Sequence, residues 1–241
     1  MKILQVFSFF SLPLGGGTVE RVYKISRALL QRGHDVTIYT SDFALDLEYL
    51  NSLEGIKTHL FHSVLNLPGI HITPGLIPAA ARNLKNFDII HLHVHRSFQN
   101  PVIHYYARKH NIPFIIDSHG STPKLGKRRI KQLYDLLFGH RINKDCSKFI
   151  ADCDLGIKQY RELGIPADKI VMIPAAFPVE DFDNLPPPGT FRARYNIPKE
   201  KRIVMFLGRL HWIKGIDFLV QSFHELCQKR KDVILAIVGA D

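Results

Sequence analysis

The chain of 241 residues is 46% hydrophobic and 22% charged, a composition that can bury a real core and that excludes an intrinsically disordered chain. Lys and Arg number 32 against 22 Asp and Glu, a net charge of +10, which favours anionic partners such as nucleotide phosphates, phospholipid head groups or nucleic acid. Cys146, Cys153 and Cys227 are an odd number without CxxC spacing, so neither a disulfide framework nor a structural zinc site is indicated, and a reducing, cytoplasmic setting is expected.

In chain order, the first apolar run, KILQVF (2–7), leads into the glycine turn LGGG (14–17) and a helical pattern. It reads as a buried strand rather than a signal peptide: Gln5, Ser8, Ser11 and Pro13 interrupt it and no A-x-A cleavage pattern follows. Helix 18–32, strand DVTIYT (35–40), a short strand near 57–61 and a helix near 76–85 come next. Then FDIIHLH (87–93), helix 99–110, PFIID (113–117), a basic helix near 127–140, KFIA (148–151), helix 154–163 and KIVMI (169–173) complete the pattern. No other apolar stretch approaches the roughly 18 residues that span a bilayer. Continuous apolar strands separated by helices predict a doubly wound α/β domain over 1–174: a parallel sheet covered on both faces, with ligands at the carboxyl ends of its strands. Proline-rich PAAFP and NLPPPGT mark a linker over 175–200. RIVMFLGRL (202–210), a helix over about 215–229 and DVILAIVG (232–239) form the first βαβ of a second domain, 201–241. One βαβ cannot cover both faces of its own sheet, so this domain is expected to be incomplete.

Three motifs carry candidate chemistry. HLHVH sets His91, His93 and His95 at every second position, the spacing of strand side chains that share a face. A metal ion would need all three imidazoles in one polar pocket with a carboxylate or water. On a buried parallel strand they are instead expected at graded depth: His91 deep, His93 intermediate, and His95 at the cleft mouth beside Arg96. No metal site is expected. The glycine turn suits close backbone approach to a phosphate at a helix N-terminus, although a tight strand-to-helix connection explains the glycines equally well. Its spacing is not G-x-G-x-x-G and no acidic residue closes the second strand, which disfavours a nicotinamide enzyme. In FLGRLHWIKGID, Arg209 and Lys214 lie on a loop entering a helix, where two cations can hold a diphosphate or remain solvated loop charges.

The segment KLGKRRIKQLYDLLFGHRI (124–142) clusters Lys124, Lys127, Arg128, Arg129 and Lys131 beside Leu133, Leu136, Leu137 and Phe138. Its ordinary reading is a core helix with a solvated basic end; the alternative is an amphipathic helix resting on anionic lipid. No nucleic-acid-binding motif is visible, so no nucleic acid partner is expected.

The glycine turn with RALLQRGHDVTIYT, the segment DIIHLHVHRSFQNP, the strand end IPFIIDSHGS and the block FLGRLHWIKGID together resemble glycosyltransferase family 4, retaining transferases with the GT-B fold of two Rossmann-like domains. The resemblance covers essentially the whole chain, with FLGRL..KGID its most specific piece. It implies transfer of a glycosyl group from a nucleoside-diphosphate sugar to a saccharide or lipid-linked acceptor, with no metal or other cofactor. It implies that Gly16 and Gly17 approach the donor phosphate or the acceptor, that His119 contacts the transferred sugar as the catalytic candidate, and that Arg209 and Lys214 bind the donor diphosphate. Glu20, Arg21, His95 and Arg96 are the remaining cleft or acceptor candidates. The family's C-terminal domain carries a donor-side pair of glutamates, E-x7-E, past the strand DVILAIVG, and neither position is present in residues 1–241. Two rivals accompany this reading: a non-catalytic GT-B binding module, and a nucleotide-sugar epimerase.

Overall fold

Each apolar run that opens a strand–helix repeat forms a strand, and seven of them pair into one sheet. In the computed structural model, which describes residues 1–67, 70–123, 128–175 and 179–239, packing divides the chain into two units, Met1–Ala176 and Phe177–Asp241.

The first unit contains, in order, β1 (Lys2–Val6), α1 (Leu12–Gly15), α2 (Gly17–Gln31), β2 (Asp35–Ser41), α3 (Leu47–Asn51) and β3 (Lys57–Phe61). An antiparallel hairpin of β4 (Leu65–Leu67) and β5 (Ile70–Ile72), absent from the sequence reading, precedes α4 (Leu76–Asn83). Next are β6 (Ile89–His93), α5 (Gln99–His110), β7 (Phe114–Asp117) and α6 (Arg128–Tyr134), which continues through a π-helical turn (Asp135–Gly139) into α7 (His140–Asp145). β8 (Lys148–Ala151), α8 (Asp154–Glu162) and β9 (Ile170–Met172) close the unit.

The sheet order is β3-β2-β1-β6-β7-β8-β9, with every neighbouring pair parallel. The chain lays strands outward from β1 in one direction and from β6 in the other, so the topology switches between β1 and β6, where sheets of this kind open a crevice at their carboxyl edge.

Alternation of side chains gives the two faces different cores. On one, Leu4, Ile90, Leu92 and Ile116 pack with Ile103 of α5 and Tyr160 of α8, all fully buried. On the other, Phe7, Val36 and Ile38 pack with Val19 and Val22 of α2. The register on this second face also sets Gln5 beside His91 and His93 beside Asp117. Hydrocarbon there gives way to a buried polar belt under α2.

The second unit holds α9 (Thr190–Arg194), inside the stretch expected as a linker, then β10 (Arg202–Leu207), α10 (Ile216–Lys229) and β11 (Val233–Val238). β10 and β11 pair in parallel over six residues each, giving the single βαβ the pattern calls for. Among its described residues none is buried, as expected when two strands and one long helix have no second layer to pack against.

Candidate functional site

Gly16 has φ +50° and ψ −132°, a backbone conformation that only glycine adopts without strain. Gly15 is required for a different reason: a Cβ there would run into Cγ2 of the fully buried Val19. Over Gly16 and Gly17, by contrast, an added Cβ would meet nothing within 4 Å. No side chain caps the start of α2, so no side chain meets the first unpaired backbone N–H groups of the helix; the N–H of Gly16 itself donates to the Leu12 carbonyl at 2.8 Å.

One turn into α2, Arg21 reaches the carboxyl ends of three strands. Its guanidinium lies 3.0 Å from Asp117 Oδ2, the end of β7, and pairs with Asp152 just past β8. It also donates to the carbonyl of Ile173, past β9, at 3.2 Å. The Asp117 contact is an ion pair without a well-directed hydrogen bond. Asp117 Oδ1 accepts the backbone N–H of His119 at 3.2 Å and sits 3.4 Å from His119 Nδ1.

His119 itself is left-handed, φ +45°, a position costing a non-glycine residue roughly 1 kcal/mol. Contacts on every side hold it there. Its Nε2 is 2.9 Å from Nδ1 of His93, and the two rings stack at 5.1 Å with 11° between planes. Nε2 of His93 is 2.6 Å from Gln5 Oε1, and the His91 ring lies 4.0 Å from that of His93. Gln5, His91, His93 and Asp117 are all buried.

Burial dominates the electrostatics. It pushes His91 and His119 down to about 3, with the Arg21 charge adding to both shifts. His93 is held well below the ordinary imidazole value, again mainly by burial. Asp117 is pushed up to about 6 by burial; Arg21 opposes that rise and the nearby Asp152 carboxylate reinforces it. The ligand-capable atoms of Asp117, His119 and Asp152 lie within 4.8 Å of one another, and the positive charge among them is the guanidinium of Arg21.

The structure brings His119 and Arg21 together around Asp117 and revises the reading of HLHVH. β6 ends at His93, and Val94 turns with φ +70°, so strand alternation stops before His95. His95 is therefore not at a cleft mouth: it is 2% exposed, with Nε2 3.0 Å from Asn143 Oδ1 and its backbone N–H donating to Ser121 Oγ at 2.8 Å. The graded depth is also corrected, since His93 (1% exposed) lies deeper than His91 (6%). Arg96, expected beside the cleft, is 8% exposed and grips both oxygens of Asp135 at 2.8 and 2.9 Å. It also donates to the carbonyls of Ser121 and Thr122, tying the loop after β7 to the π turn. Glu20 pairs with Lys24 on its own helix at 2.9 Å, and its side chain is 43% exposed.

In the second unit, Arg209 and Lys214 are exposed on the loop between β10 and α10. Lys214 ends the turn Trp212–Lys214, and the left-handed Gly215 (φ +66°) opens α10. Lys124 and Lys127 of the basic segment lie outside the described residues. Gln5, Asp117 and Asp152 join the site from outside the predicted site residues; their one local signal is a polar residue inside or closing an otherwise apolar strand, as in KILQV and FIID.

This cluster makes the fold sensitive to acid. Below pH 6.5 the unfolded histidines take up protons that the buried rings refuse, so stability falls as the pH drops toward 3. Asp117 acts in the opposite sense, because its raised value makes the folded chain the better proton binder between about pH 4 and pH 6. Two rings at about 3, joined by His93, outweigh one carboxyl at about 6. Urea unfolding should show stability lower by at least about 2 kcal/mol at pH 5 than at pH 7.5; equal or greater stability at pH 5 contradicts this electrostatic account.

The Glycosyltransferase Family 4 model matches residues 15–181, and the Glycosyl transferases group 1 model matches residues 189–241. A D-inositol 3-phosphate glycosyltransferase of Kineococcus radiotolerans is 22% identical over 237 residues, covering 89% of this chain and 53% of its own. The chain spans about half the length of the curated relatives it matches. Among solved structures, Anabaena Alr3699/HepE in complex with UDP-glucose aligns with a TM-score of 0.75 at 18% identity, over 100% of this chain and 61% of its own. UDP-GlcNAc 2-epimerase from Neisseria meningitidis bound to UDP-GlcNAc aligns at 0.57 with 13% identity, over 98% and 65%. Both likenesses agree on a Rossmann-like, GT-B-type fold. With a family model matching well over half of it, the chain belongs to glycosyltransferase family 4.

Proposed function

We propose that this chain carries the acceptor-side domain and the beginning of the donor-side domain of a retaining glycosyltransferase. The enzyme moves a glycosyl group from a nucleoside-diphosphate sugar to a saccharide or lipid-linked acceptor. One observation carries the reading: an open helix start at Gly16–Gly17 beside the Arg21–Asp117–His119 cluster in one unit, followed by a basic strand-to-helix loop with Arg209 and Lys214 in the next.

In the transfer, the bond from the anomeric carbon to the diphosphate breaks and one to the acceptor oxygen forms on the same face. The acceptor proton passes to the departing phosphate oxygen. Charge grows on the diphosphate as it leaves, and preorganised cations stabilise that charge most where it develops. Arg209 and Lys214 take this role. Gly17, with no side chain in the way, opens the start of α2 to the donor phosphate or the acceptor, and His119, just past the carboxyl end of β7, is the residue for contact with the transferred sugar. The two solved likenesses hold uridine nucleotides, which makes UDP-glucose the first donor to test.

The epimerase likeness keeps a second reading in view, in which the sugar is altered without an acceptor. A binding module would give no product either way. In calorimetry with UDP-glucose, Arg209→Ala and Lys214→Ala should each weaken binding about tenfold or more, the loss of a charge-assisted phosphate contact. Unchanged affinity removes both from the donor site. Product that appears only when acceptor is added supports transfer, and product without acceptor supports the epimerase.

The surface of α6 and the π turn supports a peripheral position on an anionic membrane at its cytoplasmic face. Ile130, Leu133, Leu136 and Leu137 are 52–72% exposed. A groove of about 550 Å³ beside them is lined by Tyr105, Arg108, Lys109, Leu137, Phe138 and Arg141. Among the described residues no helix is long and apolar enough to cross a membrane. Exposed leucines beside arginines suit insertion at the level of the head groups. The chain should sediment with phosphatidylserine vesicles at low salt and be released at high salt; failure to sediment at low salt overturns the membrane reading.

A further inference from the structure

The hydrogen-bonding atoms of Gln5, His93, His119 and Asp117 run in single file from β1 across β6 to the end of β7. Two links are hydrogen bonds, 2.6 Å from Gln5 to His93 and 2.9 Å from His93 to His119; the third is a longer contact, 3.4 Å from His119 Nδ1 to Asp117 Oδ1. Transfer chemistry at His119 does not by itself require this file. It does not explain why both ring nitrogens of His119 face partners inside the protein. Nor does it explain why a glutamine and a second histidine sit behind it at 0% and 1% exposure.

A neutral imidazole has one N–H and one lone pair, so each link dictates the next. Ionised Asp117 offers no proton, so the Nδ1 facing it must carry N–H and Nε2 of His119 must be a lone pair. That lone pair takes Nδ1–H of His93, whose Nε2 then needs a donor. Gln5 supplies one when its carboxamide makes a half-turn, exchanging oxygen for nitrogen at the same place. The half-turn also gives a partner to the Gln5 amide nitrogen, which is otherwise buried without one.

We propose that Gln5 and His93 are positioning residues for His119: with Asp117 they fix it as the Nδ1–H tautomer and hold its ring in the left-handed position from which it acts. The consequence for sugar transfer rests on the glycosyltransferase reading, whereas the tautomer does not. One added proton reverses the file. The Nδ1 proton of His119 passes to Asp117, that of His93 passes to Nε2 of His119, and the added proton sits on Nε2 of His93, which donates to Gln5 Oε1. The charged and titratable groups facing the file are Arg21 and Asp152 at the Asp117 end and His91 against His93. Tyr160 lies nearby, its hydroxyl engaged by Ser118 N–H and the Ile150 carbonyl. Burial pushes Asp117 up to about 6, so the carboxylate form, and with it the Nδ1–H state, prevails at pH 8.

Long-range ¹H–¹⁵N correlation of the imidazole rings in the ¹⁵N-labelled chain tests the proposal without any turnover, so it can fail while sugar transfer is demonstrated, and the reverse. His91→Gln and His93→Gln assign the signals. At pH 8 both His93 and His119 should carry the proton on Nδ1, and Gln5→Met should shift the Nε2 resonance of His93. At pH 5 both protons should move to Nε2. A proton on Nε2 of either ring at pH 8, or a His93 resonance indifferent to Gln5→Met, overturns the positioning file; tautomers unchanged at pH 5 overturn its reversal.

Discussion

The ion pair between Arg21 and Asp117 is the constraint on which the rest of the site depends. A carboxylate 1% exposed at the end of a buried strand carries a desolvation penalty of several kcal/mol unless a charge is held against it. Arg21 meets that need from α2 and, with the same guanidinium, binds Asp152 and the Ile173 carbonyl. One side chain thereby joins the first long helix to the carboxyl ends of β7, β8 and β9. The helix start at Gly16–Gly17 is consequently fixed beside the place where His119 leaves the sheet.

From this anchor the polar belt follows. Apolar residues on the α2 face give way near the topological switch to Gln5, His91, His93 and Asp117, an arrangement that hydrophobic burial alone would not select. The histidines are kept neutral by burial, and Arg21 penalises their protonation further. Two of the five left-handed non-glycine residues among those described, Val94 and His119, sit at the same edge. Strain and buried polarity gathered at one carboxyl edge mark a place where stability has been exchanged for chemistry.

The strands were legible because each is a short, continuous apolar run, and burial on both sides of a parallel sheet demands that composition. The glycine turn was legible for a similar reason, since Gly16 occupies a conformation that other residues avoid. What escaped the sequence was either short or non-local. β4 and β5 have three residues each, too few to show a period. The exit of His95 from strand alternation depends on the single positive φ of Val94, and valine is not a residue that announces one. Arg96 and Asp135 are 39 positions apart, and Arg21 and Asp152 are 131 apart. No local pattern could show that the first arginine is sealed inside a structural ion pair while the second organises the site.

Arg21 neutralises Asp117 at the carboxyl edge. A double-mutant cycle in urea unfolding at pH 7.5 with Arg21→Met, Asp117→Asn and both together tests it most directly. Arg21→Met alone should cost about 3–5 kcal/mol, the penalty of an uncompensated buried charge, and about 1 kcal/mol or less once Asp117 is asparagine. Costs that add to within about 0.5 kcal/mol would contradict the account.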